Sequence, residues 1–306
     1  MAQAPEKSIR QHGVIIAAHG RAYRVRLADK TTLLASSRGK KSEVVCGDQV
    51  VVAVSGQGQG VIEGHLPRKN LLSRADEFKT KAIAANVDQV LIVVACEPDF
   101  SEELACRCLI AAQSQGIAPL IVLNKCDLAG LLARGRQRIR SLAAFGAPVV
   151  ELSARHDVSA LLPWLTGKCS VLAGPSGMGK STLINALAPG AAAATGEISR
   201  ALDSGRHTTT FAACYDLPGG GVLIDSPGLQ TFGLAHLDAE SLLASFPELL
   251  PYQGQCRFRD CRHAQEPDCA WQAAAQAGEI APERLALFLK LEAELQRAQQ
   301  APWQKA

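Results

Sequence analysis

The feature that most constrains the fold is a series of short apolar runs, each ending in a polar loop. The run QVLIVVA at 89–95 is almost wholly apolar, and APLIVLN at 118–124 is similar. A strand that is buried on both faces of a sheet needs such a continuous run. Helical stretches separate these runs from later ones at 147–154, 168–174 and 221–228. This alternation predicts a doubly wound α/β sheet.

A glycine-rich segment follows the run at 168–174. It reads GPSGMGKST and fits the pattern G-x4-G-K-S between a strand and a helix. There the glycines let backbone N–H groups close around phosphate oxygens at a helix N-terminus. We expect Lys180 to reach the β- and γ-phosphates of a nucleotide and to serve in catalysis. The predicted phosphate contacts are Gly174, Pro175, Ser176, Gly177, Met178, Gly179, Lys180, Ser181 and Thr182.

A second motif, NKCD, directly follows the apolar residues of the run at 118–124. The Asp127 carboxylate can accept hydrogen bonds from both N–H groups of a guanine edge, and Asn124 suits the O6 and N7 side. Adenine would place a lone pair opposite Asp127, and such mismatches discriminate strongly between substrates. Lys125 can lay its methylene stem along the base. The predicted base contacts are Asn124, Lys125, Cys126, Asp127 and, after the next strand, Ser153 and Ala154.

The order of these two motifs is unusual. NKCD comes about fifty residues before the glycine-rich segment, whereas the usual G domain has its phosphate loop first. Either one match is accidental, or the domain is circularly permuted. Permutation keeps every ligand loop at the carboxyl end of a sheet strand, and domain termini tend to lie close together. We therefore interpret the chain as a permuted GTPase domain.

Two segments after the phosphate loop complete the predicted site. In DSPG at 225–228, Asp225 can hold Mg²⁺ through water, and the Gly228 N–H can sense the γ-phosphate. SGRHTTT at 204–210 lies where a G domain keeps its first switch, and a threonine there is expected to ligate Mg²⁺. Thr209 is preferred over Thr208. The predicted Mg²⁺ ligands are Ser181, Thr209 and Asp225.

The residue after DSPG bears on the rate of hydrolysis. Many GTPases carry a water-orienting glutamine there, but this chain has Leu229, with Gln230 one position later. An apolar side chain cannot orient water, so we expect slow intrinsic hydrolysis. His207 in the threonine segment is the candidate for the missing catalytic role.

The first 75 residues differ from the remainder in pattern and charge. Five short runs rich in Val, Ile, Leu and Thr predict a small OB-type β-barrel. Twelve Lys or Arg against five Asp or Glu give this part a net charge of +7, while the whole chain carries +3. Outward arginines are compatible with plain solvation, but the charge favours a nucleic-acid partner. The predicted RNA contacts are Arg24, Arg26, Arg38, Lys40 and Lys41.

A compact cluster of cysteines and a histidine lies near the C-terminus, with the spacing C-x4-C-x-H-x5-C. Three thiolates and one imidazole suit a closed, structural zinc site. The alternative is buried thiols beside a surface histidine. Arg257, Arg259 and Arg262 lie between the ligands. The predicted zinc ligands are Cys256, Cys261, His263 and Cys269.

The sequence has no apolar run of the roughly 18 residues that span a membrane, and its N-terminus has no apolar signal segment. We therefore expect a cytoplasmic protein without membrane contact. A monomer is expected.

Taken together, LNKCD, GPSGMGKST, GRHTTT, DSPG and the cysteine spacing resemble the ribosome small-subunit-dependent GTPase A family of bacteria, over nearly the full length. The resemblance implies a GTPase that binds the small ribosomal subunit and its rRNA late in assembly, hydrolyses GTP to GDP faster there, and uses zinc and Mg²⁺. The expected domains are an OB barrel (1–75), a permuted GTPase domain (76–235) and a helical zinc domain (236–306).

Two other functions are compatible with parts of the pattern. A metabolic P-loop kinase or ATPase would share the phosphate loop, but Asp127 and the Ser153-Ala154 pair argue against it. A passive RNA-binding protein with a structural nucleotide site would share the motifs but show negligible turnover.

Overall fold

The computed structural model describes most of the chain, and the elements below are numbered within it. The described residues are 9–37, 44–55, 58–75, 80–191, 212–226, 233–234 and 237–300.

The N-terminal part forms the predicted closed barrel of five strands. The strands are β1 (Ile9–His19), β2 (Ala22–Leu27), β3 (Thr32–Ser37), β4 (Gln49–Ser55) and β5 (Gln59–His65). Their order is β1-β2-β3-β5-β4, and β4 pairs back with β1 to close the barrel. Tyr23, Val25 and Leu27 are buried inside it, whereas Arg24 and Arg26 are partly exposed. The alternation of apolar and basic residues in this strand therefore reflects one face directed into the barrel and one directed outward, as expected.

A two-stranded hairpin follows the barrel and was not predicted. It consists of β6 (Leu71–Ala75) and β7 (Thr80–Ala85). The backbone N–H of Ser73 donates to Gln115 Oε1 at 2.8 Å, which ties the hairpin to the first helix of the next domain. The predicted domain boundary at residue 75 falls between its two strands.

The central part is the predicted α/β sheet. Its strands are β8 (Gln89–Ala95), β9 (Ala118–Asn124), β10 (Val149–Glu151), β11 (Cys169–Ala173), β12 (Ala212–Asp216) and β13 (Val222–Asp225). Its helices are α1 (Glu102–Ser114), α2 (Ala129–Arg138), α3 (Arg140–Ala143), α4 (Leu162–Leu165) and α5 (Lys180–Leu187). One-turn 3-10 helices lie at Ser159–Leu161 and, further on, at Leu250–Tyr252.

The strand order β10-β9-β8-β11-β13-β12 explains the permuted motif order. The strand that precedes the glycine-rich segment, β11, lies in the middle of the sheet between β8 and β13. Strands β10, β9, β8, β11 and β13 of this sheet are parallel to one another, and β12 pairs antiparallel with β13. The loops after β8, β9, β10, β11 and β13 therefore meet at one edge.

The barrel and the α/β sheet are joined edge to edge. Strand β12 pairs antiparallel with β1, so that eleven strands form one continuous sheet. The chain leads from the barrel into β8, on the base-reading side. The barrel nevertheless contacts the opposite side, which carries β12 and β13. The order of elements along the chain could not predict this contact, because β1 and β12 are far apart in sequence.

The C-terminal part is helical, as predicted, with α6 (Ala239–Ala244), α7 (Ala270–Gln276) and α8 (Pro282–Gln300). Helix α8 packs against α1: Arg107 Nη2 donates to Glu294 Oε2 at 2.7 Å and to Glu103 Oε1 at 2.8 Å. Aromatic edge contacts link Phe145, Phe246 and Phe288. Among the residues that the structure describes, no helix combines the length and apolar character that crossing a membrane requires.

Candidate nucleotide site and metal centre

The glycine-rich loop runs from β11 to the start of α5, and two of its glycines are required by geometry. Gly174 has φ +132°, and a Cβ there would lie 2.3 Å from the Val93 carbonyl oxygen. Gly179 has φ +91°, and a Cβ there would lie 2.3 Å from Asn124 Nδ2. Only glycine tolerates both the left-handed backbone and the close approach. The loop can therefore present backbone N–H groups to an anion at the start of α5.

Lys180 and Asp225 form the charged centre of this edge. Lys180 Nζ donates to the carbonyl oxygens of Gly174 and Pro175, at 2.6 Å each. Burial lowers the pKa of Lys180, although the charge of Asp225 opposes this. Burial likewise raises the pKa of Asp225, against the attraction of Lys180. A phosphate with a divalent cation would satisfy both groups, and Ser181 is exposed beside them.

Asn124 connects the base-reading motif to the phosphate loop. Its side chain is buried at the end of β9, and Nδ2 donates to the Met178 carbonyl at 2.8 Å. Its Oδ1 accepts from the N–H of Lys125 at 2.8 Å and from that of Ala154 at 2.9 Å. One amide therefore holds three loops in place. The motif predicted only a base contact for Asn124, and this structural role was not predicted.

Lys125 and Asp127 follow Asn124 in the loop after β9. Lys125 has a left-handed backbone, with φ +61°. Its Nζ donates to the Gly177 carbonyl at 2.9 Å, so the side chain extends toward the phosphate loop. The Ser153 hydroxyl is the main cause that lowers the pKa of Asp127, with smaller contributions from the charges of His156 and Arg155. Asp127 is thus an ionised acceptor, and its side chain is 31% exposed.

Several predicted residues lie outside the described part of the chain. They remain predictions of the sequence. They are Arg38, Lys40 and Lys41 of the basic loop, His207, Thr208 and Thr209 of the threonine segment, and Gly228, Leu229 and Gln230 after Asp225.

The four predicted metal ligands converge. Their ligand atoms all lie within 4.8 Å of one another. His263 Nδ1 is 3.5 Å from Cys256 Sγ and 3.4 Å from Cys269 Sγ, and these two sulfurs are 3.9 Å apart. With Zn–S bonds of about 2.3 Å, the ligand atoms of a tetrahedron stand about 3.8 Å apart. The cluster therefore fits one tetrahedral ion, and all ten cysteines have free thiols.

Neighbouring groups orient this centre. The backbone N–H of His263 donates to Cys261 Sγ at 3.4 Å. The His263 ring stacks on Trp271 with centroids 3.7 Å apart, which directs Nδ1 toward the sulfurs. Trp271 was not predicted as part of the centre, although a tryptophan two residues after the last ligand was a usable signal. Such outer contacts fix ligand geometry and tune a metal site.

The barrel presents an uneven basic surface. Arg24 is partly exposed, while Arg26 forms an ion pair with Asp216 of β12. An open groove is lined by His19, Arg21 and Ser36 among others. His19 and Arg21 were not predicted as candidate contacts.

Comparisons with known proteins agree with this geometry. The family model described as RsgA GTPase matches residues 65–235. A protein of Bordetella pertussis named small ribosomal subunit biogenesis GTPase RsgA is 52% identical over 283 residues, which cover 91% of this chain and 94% of that protein. A protein of the same name from Ralstonia nicotianae is 49% identical over 303 residues, covering 96% and 94%.

Two solved structures have the same arrangement. YjeQ from Thermotoga maritima superposes with a TM-score of 0.68 and 31% identity, covering 94% of this chain and 99% of that one. YloQ, described as a circularly permuted GTPase, gives a TM-score of 0.64 and 25% identity, covering 97% and 98%.

Proposed function

This chain belongs to the RsgA GTPase family, and from that premise we propose that it hydrolyses GTP to GDP and phosphate during assembly of the small ribosomal subunit. The observation that carries the proposal is the bond from Asn124 Nδ2 to the Met178 carbonyl, at 2.8 Å. It joins a guanine-reading motif to a phosphate loop that lies 50 residues away in the reversed order. A site that holds both ends of one nucleotide needs this contact between the two motifs.

Guanine is read by Asp127, whose ionised carboxylate accepts from the two N–H groups of the base. An aspartate is ionised at neutral pH, the pKa of Asp127 is lowered further, chiefly by Ser153, and a carboxylate facing adenine would be left unpaired. Cys126, Ser153 and Ala154 complete the wall of the base pocket, and the second Nδ2 hydrogen of Asn124 is directed to the base. An ATPase or kinase that binds adenine would leave this acidic group without a partner.

The phosphates lie on the loop from Gly174 to Thr182. Lys180 leaves the carbonyls of Gly174 and Pro175 to contact the β- and γ-phosphates, and Asp225 stays ionised once a cation offsets its burial. Bound Mg²⁺ would neutralise developing charge on the phosphate oxygens. Ser181 and Asp225, together with Thr209, would hold it, and the Gly228 N–H would contact the γ-phosphate.

The metal centre is structural and takes zinc. Three sulfurs and one imidazole nitrogen are the donor set of closed zinc sites, and the distances between them suit one ion. Its role is to fold residues 256–269, which have little apolar content of their own, against α7.

The partner is the small subunit and its rRNA. Arg24 and the basic loop with Arg38, Lys40 and Lys41 supply phosphate contacts from the barrel. The chain acts as a cytoplasmic monomer of three domains, at 1–75, 76–235 and 236–306. Because Leu229 cannot orient water, hydrolysis alone is slow, and docking of the subunit moves His207 to the γ-phosphate.

The test is phosphate release from GTP with purified small subunits, for wild type and His207→Ala, with large subunits as the control. Wild type should be stimulated by small subunits only. His207→Ala should lose this stimulation while its GTP affinity changes little, because His207 acts mainly in the transition state. Added salt should reduce stimulation steeply, since the barrel binds through phosphate contacts. Full stimulation of His207→Ala would remove His207 from the mechanism.

A further inference from the structure

The joint between the barrel and the α/β sheet is short and tightly packed. Ala17 pairs with Ala213, and Ala18 pairs with Ala212. Ala17 is 0% exposed and Ala213 is 2% exposed. The buried alanine pair packs the two strands closely, so a shift of β1 is expected to displace β12 as well.

This joint is in register with the centre of the nucleotide site. Ala213 lies opposite Asp225 of β13, and Asp225 lies opposite Leu172 of β11. Leu172 is two residues before Gly174, where the phosphate loop begins. One row of paired residues thus runs from Ala17 of the barrel through Asp225 to the phosphate loop. In sequence, β12 also begins directly after the threonine segment.

Side chains support the joint on both sides of this row. Arg26 of the barrel forms an ion pair with Asp216 at the end of β12. The Cys214 thiol donates to the Ile15 carbonyl at 3.7 Å. In the described part of β12 two residue pairs define the register against β1, and the partly exposed ion pair adds a contact that favours this register.

We propose that Arg26 and Asp216 are positioning residues, which hold β1 and β12 in register so that docking of the barrel on RNA is transmitted to Asp225. The proposal rests on the proposed function, since it concerns how the subunit stimulates hydrolysis. Neither residue touches the nucleotide. They act through β12, an element that both the barrel and the nucleotide site contact.

Asp216 separates this proposal from a role in RNA binding. A carboxylate repels RNA phosphates, so replacing Asp216 with a cation leaves subunit binding unchanged or strengthens it. If the joint transmits docking, the same replacement uncouples hydrolysis from binding. Arg26 alone could not separate the two, since it lies on the basic face of the barrel.

The experiment compares wild type, Asp216→Arg, the charge swap Arg26→Asp with Asp216→Arg, and the control Asp29→Arg. Asp29 lies exposed in the turn after β2 and accepts hydrogen bonds only from Thr31 of the same turn among the described contacts, so its replacement makes the same charge change without altering the β1–β12 pairing. For each protein, basal GTP turnover, GDP affinity, small-subunit affinity and the kcat of stimulated turnover are measured. The swap restores a pair of opposite charges at the joint, so it tests whether the ion pair itself is what couples docking to hydrolysis.

We expect Asp216→Arg to keep basal turnover and GDP affinity within about twofold of wild type, and to bind the subunit at least about as tightly. Its stimulated kcat should fall at least about fivefold, which is the lower limit of typical couplings between sites. The swap should recover most of the loss, and Asp29→Arg should behave as wild type. Wild-type stimulation of Asp216→Arg overturns the proposal, as does a loss explained by weaker subunit binding. If wild type itself is not stimulated, the proposed function fails as well.

Discussion

Replacing Asn124 with alanine should destabilise the nucleotide-free protein, because this side chain holds three loops together. The substitution removes the bonds to the Met178 carbonyl and to the N–H groups of Lys125 and Ala154. Because these hydrogen bonds lie within the protein, the loss of stability should be measurable in the absence of nucleotide.

The magnitude follows from the burial of the partners. Ala154 and Met178 are 6% and 1% exposed, so their freed N–H and carbonyl groups have little access to water. Lys125 is half-buried, and its N–H can turn to solvent. Two unpaired buried groups at about 1–3 kcal/mol each give about 2–6 kcal/mol. We expect about 3 kcal/mol, since the loops can relax toward solvent.

The assay is amide hydrogen exchange at Ala154, supported by urea unfolding. A loss of about 3 kcal/mol corresponds to roughly a hundredfold loss of protection, and the urea midpoint should fall at unchanged slope. Exchange is the sharper readout, because a chain of several domains need not unfold in one step. The control is Asn185→Ala, the same truncation at an exposed position on α5.

Wild-type protection at Ala154 in Asn124→Ala would refute the reasoning. So would a loss of stability no larger than that of Asn185→Ala. Either result would confine Asn124 to base recognition.

Three further predictions test other parts of the site. Asp127→Asn should shift preference from GTP to XTP in competition binding, because the amide offers a donor where xanthine has a carbonyl; a remaining GTP preference of about tenfold or more would contradict the base-reading role. Cys261→Ala should lose zinc, measured by atomic absorption, yet keep most GDP binding, because the sheet has its own core; one zinc per chain in this variant would refute the ligand assignment. Burial raises the pKa of Asp225 above 3.8, so the folded state binds this proton more tightly than the unfolded state. Its contribution to the free energy of unfolding is present at low pH and lost as the pH rises through the raised pKa. Urea unfolding without nucleotide should show this pH dependence in wild type and not in Asp225→Asn; equal dependence in both would contradict it.

Local pattern was sufficient to predict the elements that are buried on both faces. Strands β8 and β9 have the bounds of their apolar runs, because a strand between two helical layers is buried on both faces and is mostly apolar. The barrel strands followed from their period of two, as Tyr23, Val25 and Leu27 illustrate. The four metal ligands followed from spacing, since their side chains lie close in sequence.

Features that depend on distant partners could not be predicted. Strand β12 reads AACYD, and nothing in those five residues points to β1. The hairpin β6–β7 has no clear alternation, and its anchor, Gln115, is the C-cap residue of α1. Asn124 was noticed for its motif, yet its burial at a strand end also demanded protein partners. Those partners are distant in sequence, so only the fold identifies them.

We propose that one site reads guanine and that the small ribosomal subunit drives its turnover. The most direct measurement is phosphate release from GTP and from ATP, each with and without purified small subunits. We predict slow release from GTP alone, a large increase when small subunits are added, and negligible release from ATP in both conditions. Release from GTP that small subunits leave unchanged, or equal release from ATP, would contradict the account.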